Sequence, residues 1–234
     1  MINKITVLSV TYNQLDKLKI LYKSLVDQKK YVKEWILYDD VSVDGTREWM
    51  VKLKTPFKTK FIYGRKRKKP LVVANMNECF KAMGKGPFIL IFGDSYLRKD
   101  ALKNLTETYV PNSFGSSYKI NVTPKGKFIS NHYLFESDEV RNMMVYSKPW
   151  EGFSGNGMIA TKKIMESINY IDEEYGGYGI DDYDTAMRAM MNGALLYIYA
   201  NVKLYHIDHP VKESTEDNKK RYISKLLGEG YTLK

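Results

Sequence analysis

Three groups of carboxylates in this 234-residue chain are spaced for chemistry: Asp39-Asp40 with Asp44, Asp94 beside Ser95, and Asp181-Asp182 with Asp184. A carboxylate cluster just beyond a strand suits two tasks, gripping hydroxyl and amide groups or holding a hard divalent cation. An Asx-type turn capping the next helix accounts for Asp44 and Gly45. It accounts less well for Asp39 and Asp40, because adjacent carboxylates at a strand end repel unless something binds them. In the third group, Gly176, Gly177 and Gly179 allow a partner to approach the backbone closely. Histidine is scarce, with three in the chain, and two of them, His206 and His209, lie three apart after a strand. A neutral imidazole there completes a metal site with Asp94. His206 is the expected ligand and His209, next to Pro210, the second candidate.

The elements that must position these groups alternate. Ile5 to Val10 is a β-rich run ending at Thr11-Tyr12-Asn13, and Leu15, Leu18, Leu21 and Leu25 mark a helical stripe behind it. Trp35 to Tyr38 is a second strand that runs into Asp39 to Thr46, with Thr46 expected to cap the next helix. Lys60 to Tyr63, a helix near Asn75 to Met83 and the strand Phe88 to Phe92 continue the pattern. Strands separated by helices imply right-handed crossovers and a mostly parallel sheet, and ligands bind at the carboxyl ends of such strands. Thr11 to Asn13, Asp39 to Asp44 and Asp94 should therefore meet on one edge. Asn104 to Trp150 is less regular. Beyond it come a helix near Thr161 to Ile168, another at Thr185 to Asn192 with Asp184 as its cap, and a strand at Leu195 to Tyr199.

Composition sets the outer limits. Apolar residues make up 44% and charged residues 27%, an ordinary globular balance. A single cysteine, Cys79, excludes a disulfide framework and a cysteine-based zinc site. No apolar run approaches the ~20 residues that span a bilayer, and the first ten residues lack a signal-peptide core, so a cytoplasmic protein is expected. With 37 Lys and Arg against 27 Asp and Glu the net charge is +10, which calls for an anionic partner. Arg65 to Lys69 supplies five consecutive cations.

Taken together, Ile5 to Gln14, Ser24-Leu25-Val26-Asp27-Gln28 and Asp39 to Thr46 resemble the opening of the family 2 nucleotide-diphosphosugar glycosyltransferases of the GT-A fold. The second half is similar as well, with Gly155-Asn156, Ile171 to Tyr175, and Gly179-Ile-Asp-Asp-Tyr-Asp184 ahead of Arg188 and Gly193. The resemblance implies an α/β Rossmann-like single domain. Residues 1–95 would form the nucleotide-sugar half and 96–211 the acceptor and catalytic half, followed by a basic tail, 212–234. Thr11, Tyr12, Asn13, Asp39, Asp40 and Asp94 would bind the donor, with Asp94 and His206 on Mn²⁺ or Mg²⁺. Gly155, Asn156 and Asp181 would meet sugar or acceptor, and Asp182 would be the base. Where the family carries D-x-D, this chain has Phe92 in place of the first acid, and the family's A-R-N segment lacks its arginine.

The activity implied is transfer of a sugar from a nucleotide diphosphate donor, a UDP-sugar first among them, to an acceptor hydroxyl. Inversion and metal assistance are expected. A saccharide or cell-surface polymer is the expected acceptor. Two alternatives stay open: transfer to hydroxymethylated bases of viral DNA, prompted by the basic run and tail, and a non-catalytic nucleotide-sugar or polyanion binder, prompted by the incomplete D-x-D.

Overall fold

The computed structural model describes residues 2–65, 72–131, 149–176, 179–209 and 215–228. Lys66 to Lys69 of the basic run and His132 lie outside the described residues.

β1 (Ile5–Thr11) is buried along its whole length. It pairs in parallel with β2 (Val32–Asp39) on one side and β4 (Pro87–Leu90) on the other, and β3 (Lys58–Tyr63) adds in parallel beyond β2. Parallel neighbours need a crossover. Helices α1 (Leu15–Asp27), α2 (Thr46–Lys52) and α3 (Val72–Ala82) supply the three. Past β4 the direction changes. β8 (Met158–Thr161) runs antiparallel to β4 and to β6 (Ser113–Val122), and β9 (Leu195–Ile207) lies parallel to β6. β5 (Ser95–Leu97) closes the order β3-β2-β1-β4-β8-β6-β9-β5, and β7 (Phe128–Asn131) forms a hairpin with β6.

Strand alternation divides the core between the two faces. Ile5, Val7, Trp35 and Leu37 pack with Leu18, Leu21 and Leu25 of α1, and with Leu102 and Leu105 of α4 (Ala101–Thr108). Leu8, Val10, Ile36 and Tyr38 pack on the other face with Phe80 of α3, Met165 of α5 (Lys162–Ser167) and Ala186 of α6 (Asp181–Met191). Three layers result, and the carboxyl ends of β1 and β2 fall side by side, with Thr11 opposite Asp39.

Three boundaries differ from the expectation. Thr46 is the first residue of α2 rather than its cap: Gly45 takes the preceding position at φ 92°, and the Asp44 side chain accepts the Thr46 N–H at 3.1 Å. α6 begins at Asp181, so Asp184 is not a cap. It lies in the first turn, fully buried, with Arg188 Nε at 2.8 Å. β9 extends to Ile207, which puts His206 within the strand rather than after it.

The chain's last described helix, α7 (Glu216–Leu226), folds back onto this acidic segment. Lys225 Nζ bridges Asp172 (2.7 Å) and Asp184 (2.8 Å), Arg221 pairs with Asp172 and Glu174, and Asn218 Nδ2 donates to the Gly179 carbonyl at 2.9 Å. Both cations also lie over the Tyr175 ring. Two charges of the basic tail therefore neutralise the protein's own acids. Burial opposes ionisation of Asp172, but the hydrogen bonds and charge of Lys225 and Arg221 win and hold its carboxyl at about 2.

That value lies below an unfolded aspartate's ~3.9, so the stabilisation is complete above about pH 4 and fades as pH falls toward 2. Lys225→Ala should cost about 3 kcal/mol at pH 7, by leaving buried carboxylates under-compensated, and should cost much less at pH 2.5. Urea denaturation at the two pH values measures both, and an unchanged midpoint at pH 7 would show that the latch adds nothing.

Candidate active site

Asp94 lies two residues past the end of β4's continuation, Ile91-Phe92, where the chain crosses the carboxyl end of β1. The Gly93 N–H donates to the Val10 carbonyl at 3.0 Å. A Cβ at Gly93 would stand 2.6 Å from Thr11 Oγ1 and 2.9 Å from Thr11 Cβ, so only glycine lets the two segments touch. The crossing buries the Asp94 carboxylate to 5% exposure.

Around it stand Gln14 Nε2 (3.3 Å), Ser95 Oγ (3.2 Å), His209 Nε2 (3.1 Å) and His206 Nε2 (3.7 Å). His206 arrives on β9 because β5 pairs with it, Ser95 opposite His206. Burial opposes the charge of Asp94, yet hydrogen bonds from His206 and His209, and their charge, hold its carboxyl well below the usual range. The His206 ring is itself oriented. Its Nδ1 lies 3.1 Å from Asn121 Oδ1, and the amide nitrogen of Asn121 is engaged with Ser130 Oγ at 3.0 Å. The amide oxygen therefore accepts from Nδ1–H, which fixes the ring with Nε2 turned toward Asp94.

Asp94, His206 and His209 each present one ligand atom, all within 4.8 Å of one another. A carboxylate oxygen with two imidazole nitrogens at that spacing, one ring fixed from behind, fits a divalent first-row cation. His209, the second candidate from the sequence, belongs to the cluster as fully as His206.

The loops after β1 and β2 are bound to each other. Asn13, at φ 50°, donates its N–H to Ser42 Oγ and accepts the Val43 N–H, both at 2.8 Å. Asp44 Oδ2 accepts the Leu15 N–H at 2.8 Å, tying the start of α1 to the same loop. Asp39 is fully buried and its carboxylate takes Arg47 Nε at 2.5 Å and the Ser42 N–H, while Arg47 also donates to the Gly64 carbonyl. Asp40, partly buried, has no side-chain partner among the described residues. Tyr12 stands 56% exposed at the rim, and the buried Thr11 Oγ1 lacks a hydrogen bond. So at these strand ends one acid, Asp39, is satisfied, and Thr11, Tyr12 and Asp40 keep unused capacity.

On the other wall, Asn156 fastens the Asp94 loop: its Oδ1 accepts the Phe92 N–H at 3.1 Å and its Nδ2 donates to Ser95 Oγ at 2.8 Å. Phe92, in place of the first acid of D-x-D, turns its ring toward Gly155. The Gly155 N–H donates to Asp182 Oδ2 at 3.3 Å. Asp181 and Asp182 open α6, whose N-terminal dipole favours their charge, but burial raises both. Asp181 is pushed up by burial and then by the charge of Asp182. Asp182 is raised by burial too, but the Gly155 N–H and the charge of Lys119 resist. The two adjacent acids thus differ in what acts on them: a backbone N–H and the charge of Lys119 oppose burial at Asp182, whereas neighbouring carboxylates add to it at Asp181. Asn121, Lys119 and Arg47 were not singled out from the sequence. Lys119 and Asn121 alternate with Tyr118, Ile120 and Val122, a period-two signal hidden in a segment that reads as irregular.

The comparisons bear on this geometry. The profile described as Glycosyl transferase family 2 matches residues 6–163, over half of the chain. The chain belongs to that family. A comparison with curated proteins gives no match. Among solved structures, the chain is similar to Staphylococcus aureus TarS residues 1–349 (TM-score 0.66, 16% identity, 97% of this chain and 65% of that one). It is similar to GalNAc-T7 with UDP, GalNAc and Mn²⁺ (0.73, 12%, 95% and 48%). It also resembles the mannosyltransferase PcManGT of Pyrobaculum calidifontis with GDP-Man and Mn²⁺ (0.67, 16%, 99% and 66%). The chain spans about half to two thirds of the length of these chains. The likenesses establish the GT-A fold expected from the sequence. Among the described residues, no helix is long and apolar enough to cross a membrane.

Gly93→Ala tests the crossing on which the cluster rests. The added methyl should cost about 1–3 kcal/mol, read as a lower urea midpoint, whereas the same change at Gly84, where a Cβ meets nothing within 4 Å, should cost less than half as much.

Proposed function

We propose that this family 2 chain transfers a sugar from a nucleotide diphosphate donor to an acceptor hydroxyl, with Asp182 as the base and a divalent cation at Asp94, His206 and His209. The observation that carries the reading is the short link between that cluster and the Asp181-Asp182 pair: Asn156 bonds Ser95 beside Asp94, and the adjacent Gly155 N–H donates to Asp182. The TarS, GalNAc-T7 and PcManGT likenesses support it, since two of those structures hold a nucleotide with Mn²⁺.

Thr11, Tyr12, Asn13 and Asp40 bind the nucleoside in this reading, with Asp39 holding the pocket floor through Arg47. A cation bound at Asp94 would offset the charge that builds on the departing diphosphate. Asp182 takes the proton of the acceptor hydroxyl as the new bond forms, because an alcohol is too weak an acid to attack ionised at neutral pH. A base on the wall facing away from the diphosphate delivers the acceptor to the opposite side of the sugar, and the product is inverted. Asp181, whose carboxyl burial and the charge of Asp182 push up to about 7, meets sugar or acceptor hydroxyls beside Gly155 and Asn156. A UDP-sugar is the first donor to test. A saccharide or cell-surface polymer is the acceptor proposed. The DNA reading drew on the surplus charge of the tail, and the inward pairing of Lys225 and Arg221 removes part of that support.

Asp182→Asn should lower kcat by ~10²-fold or more and leave donor affinity within twofold in calorimetry; near-normal turnover would remove Asp182 from the role. Chelation should stop the reaction. Two imidazole ligands suit Mn²⁺ better than the hard, water-retaining Mg²⁺, so Mn²⁺ should restore turnover at concentrations about tenfold lower. Indifference to EDTA would reject the metal. Asn121→Ala should weaken Mn²⁺ affinity by ~10-fold through loss of the His206 tether.

A further inference from the structure

One buried charge in the cleft has no part in the reaction as described above. Lys119, on β6, is 6% exposed, and its Nζ donates to Ser154 Oγ at 3.2 Å. Among the described residues this ammonium forms no direct ion pair. A buried ammonium held by one neutral hydroxyl is costly unless charge nearby compensates it. The compensation here comes from both walls of the cleft. Burial pulls the Lys119 amine down to about 8, against the charge of Asp182 and then of Asp94.

The covalent path explains the placement. Ser154, the hydroxyl that carries the ammonium, immediately precedes Gly155, whose N–H donates to Asp182 Oδ2. Lys119 shares its face of β6 with Asn121, two residues on, which tethers His206. The strand that orients the cation cluster thus also delivers a positive charge toward the base. The charged groups around Asp182 are Asp181 and Asp184 on its own helix and Lys119 from β6, with Asp94 beyond Lys119. Lys119 is the cation in that set, and it acts on Asp182: the charges that act on Asp181 are those of Asp182 and Asp184.

We propose that Lys119 is a positioning residue for the base: its buried ammonium keeps the Asp182 carboxylate in its ionised, proton-accepting form while Asp181 holds the proton. The inference rests on the function proposed above. Without Lys119, the partly buried Asp181 and Asp182 would stand side by side with no cation beside Asp182, and the base would take up a proton at higher pH. The substitution has a direction that a loss of packing lacks. Removing a cation raises the affinity of Asp182 for protons, so the acid limb of kcat/KM moves to higher pH and activity recovers in alkali.

The test is a set of pH profiles for the wild type, Lys119→Met and Lys119→Arg, with the preferred donor and saturating Mn²⁺. Lys119→Met keeps the length of the side chain and removes its charge. Its acid limb should move up by about one pH unit, which is a ~10-fold loss at pH 6, with near wild-type turnover at pH 8.5 and a donor KM within twofold. Lys119→Arg should keep the wild-type limb. A loss equal at every pH would overturn the proposal and leave a packing role. So would a tenfold rise in donor KM with an unmoved limb, which would make Lys119 a phosphate ligand. Should Lys119→Met fold poorly by circular dichroism, Ser154→Ala frees the ammonium from its hydroxyl and should move the limb the same way by a smaller amount. A ¹³C-carboxyl NMR titration of Asp182 in each protein reads the same shift without turnover. An unmoved Asp182 titration overturns the inference alone, whereas an inactive wild type with a moved titration overturns only the transferase reading.

Discussion

The energetic problem at the centre of this fold is an ionised carboxylate, Asp94, placed where water barely reaches it. Removing such a charge from water costs several kcal/mol even after relaxation. Each neighbouring element contributes to offsetting that cost. The start of α1 sends Gln14, β5 supplies Ser95, and β9 brings His206 with His209 just beyond its end. The close crossing of β1 and the Asp94 loop, possible only through Gly93, creates the burial in the first place. A buried carboxylate oxygen and two imidazole nitrogens within 4.8 Å of one another have the donor chemistry to hold a divalent cation. The protein's long-range connections, β5 to β9 and β6 to β9, exist where that chemistry needs them.

The second wall solves a different problem with the same means. Asp181 and Asp182 start a helix and are also pressed into the cleft, so the helix dipole and the loss of water act in opposite directions on them. Asn156 and Gly155 form the bridge between walls, one residue fixing the Asp94 loop and the next holding Asp182 by its backbone. Behind this wall, α7 secures Asp172, Asp184 and the Gly179 carbonyl with Lys225, Arg221 and Asn218. Asp182 is therefore held by a loop N–H, and the acids and backbone flanking it are tied to the chain's last described helix.

Much of this was legible in the residues. The parallel half, with strands ending at Thr11 and Asp39, follows from periodicity and crossover length, and the pairing of Asp94 with His206 follows from chemistry and the family resemblance. The errors share a cause. Thr46 and Asp184 look like caps because their residue types favour caps, but the side chain two residues before Thr46, Asp44, performs the first task, and Arg188 with Lys225 claims the second acid. Lys119 and Asn121 escaped notice because their strand pairs with β9, some 85 residues away, and only that pairing turns a polar alternation into part of a site. The surplus charge of +10 also reads differently once the fold is known. Lys225, Arg221, Arg188 and Arg47 serve internal acids and carbonyls, so net charge overstates what this surface offers a polyanion.

The central claim is that Asp94, His206 and His209 together hold the cation on which a nucleotide diphosphate is seated. Anomalous diffraction at the manganese edge, from crystals of the chain grown with Mn²⁺ and UDP, addresses it most directly. The account predicts a single strong peak coordinated by an Asp94 oxygen and the Nε2 atoms of both histidines, with diphosphate oxygens completing the shell. Nucleotide in the cleft with no peak there, or a manganese ion held elsewhere, would contradict it.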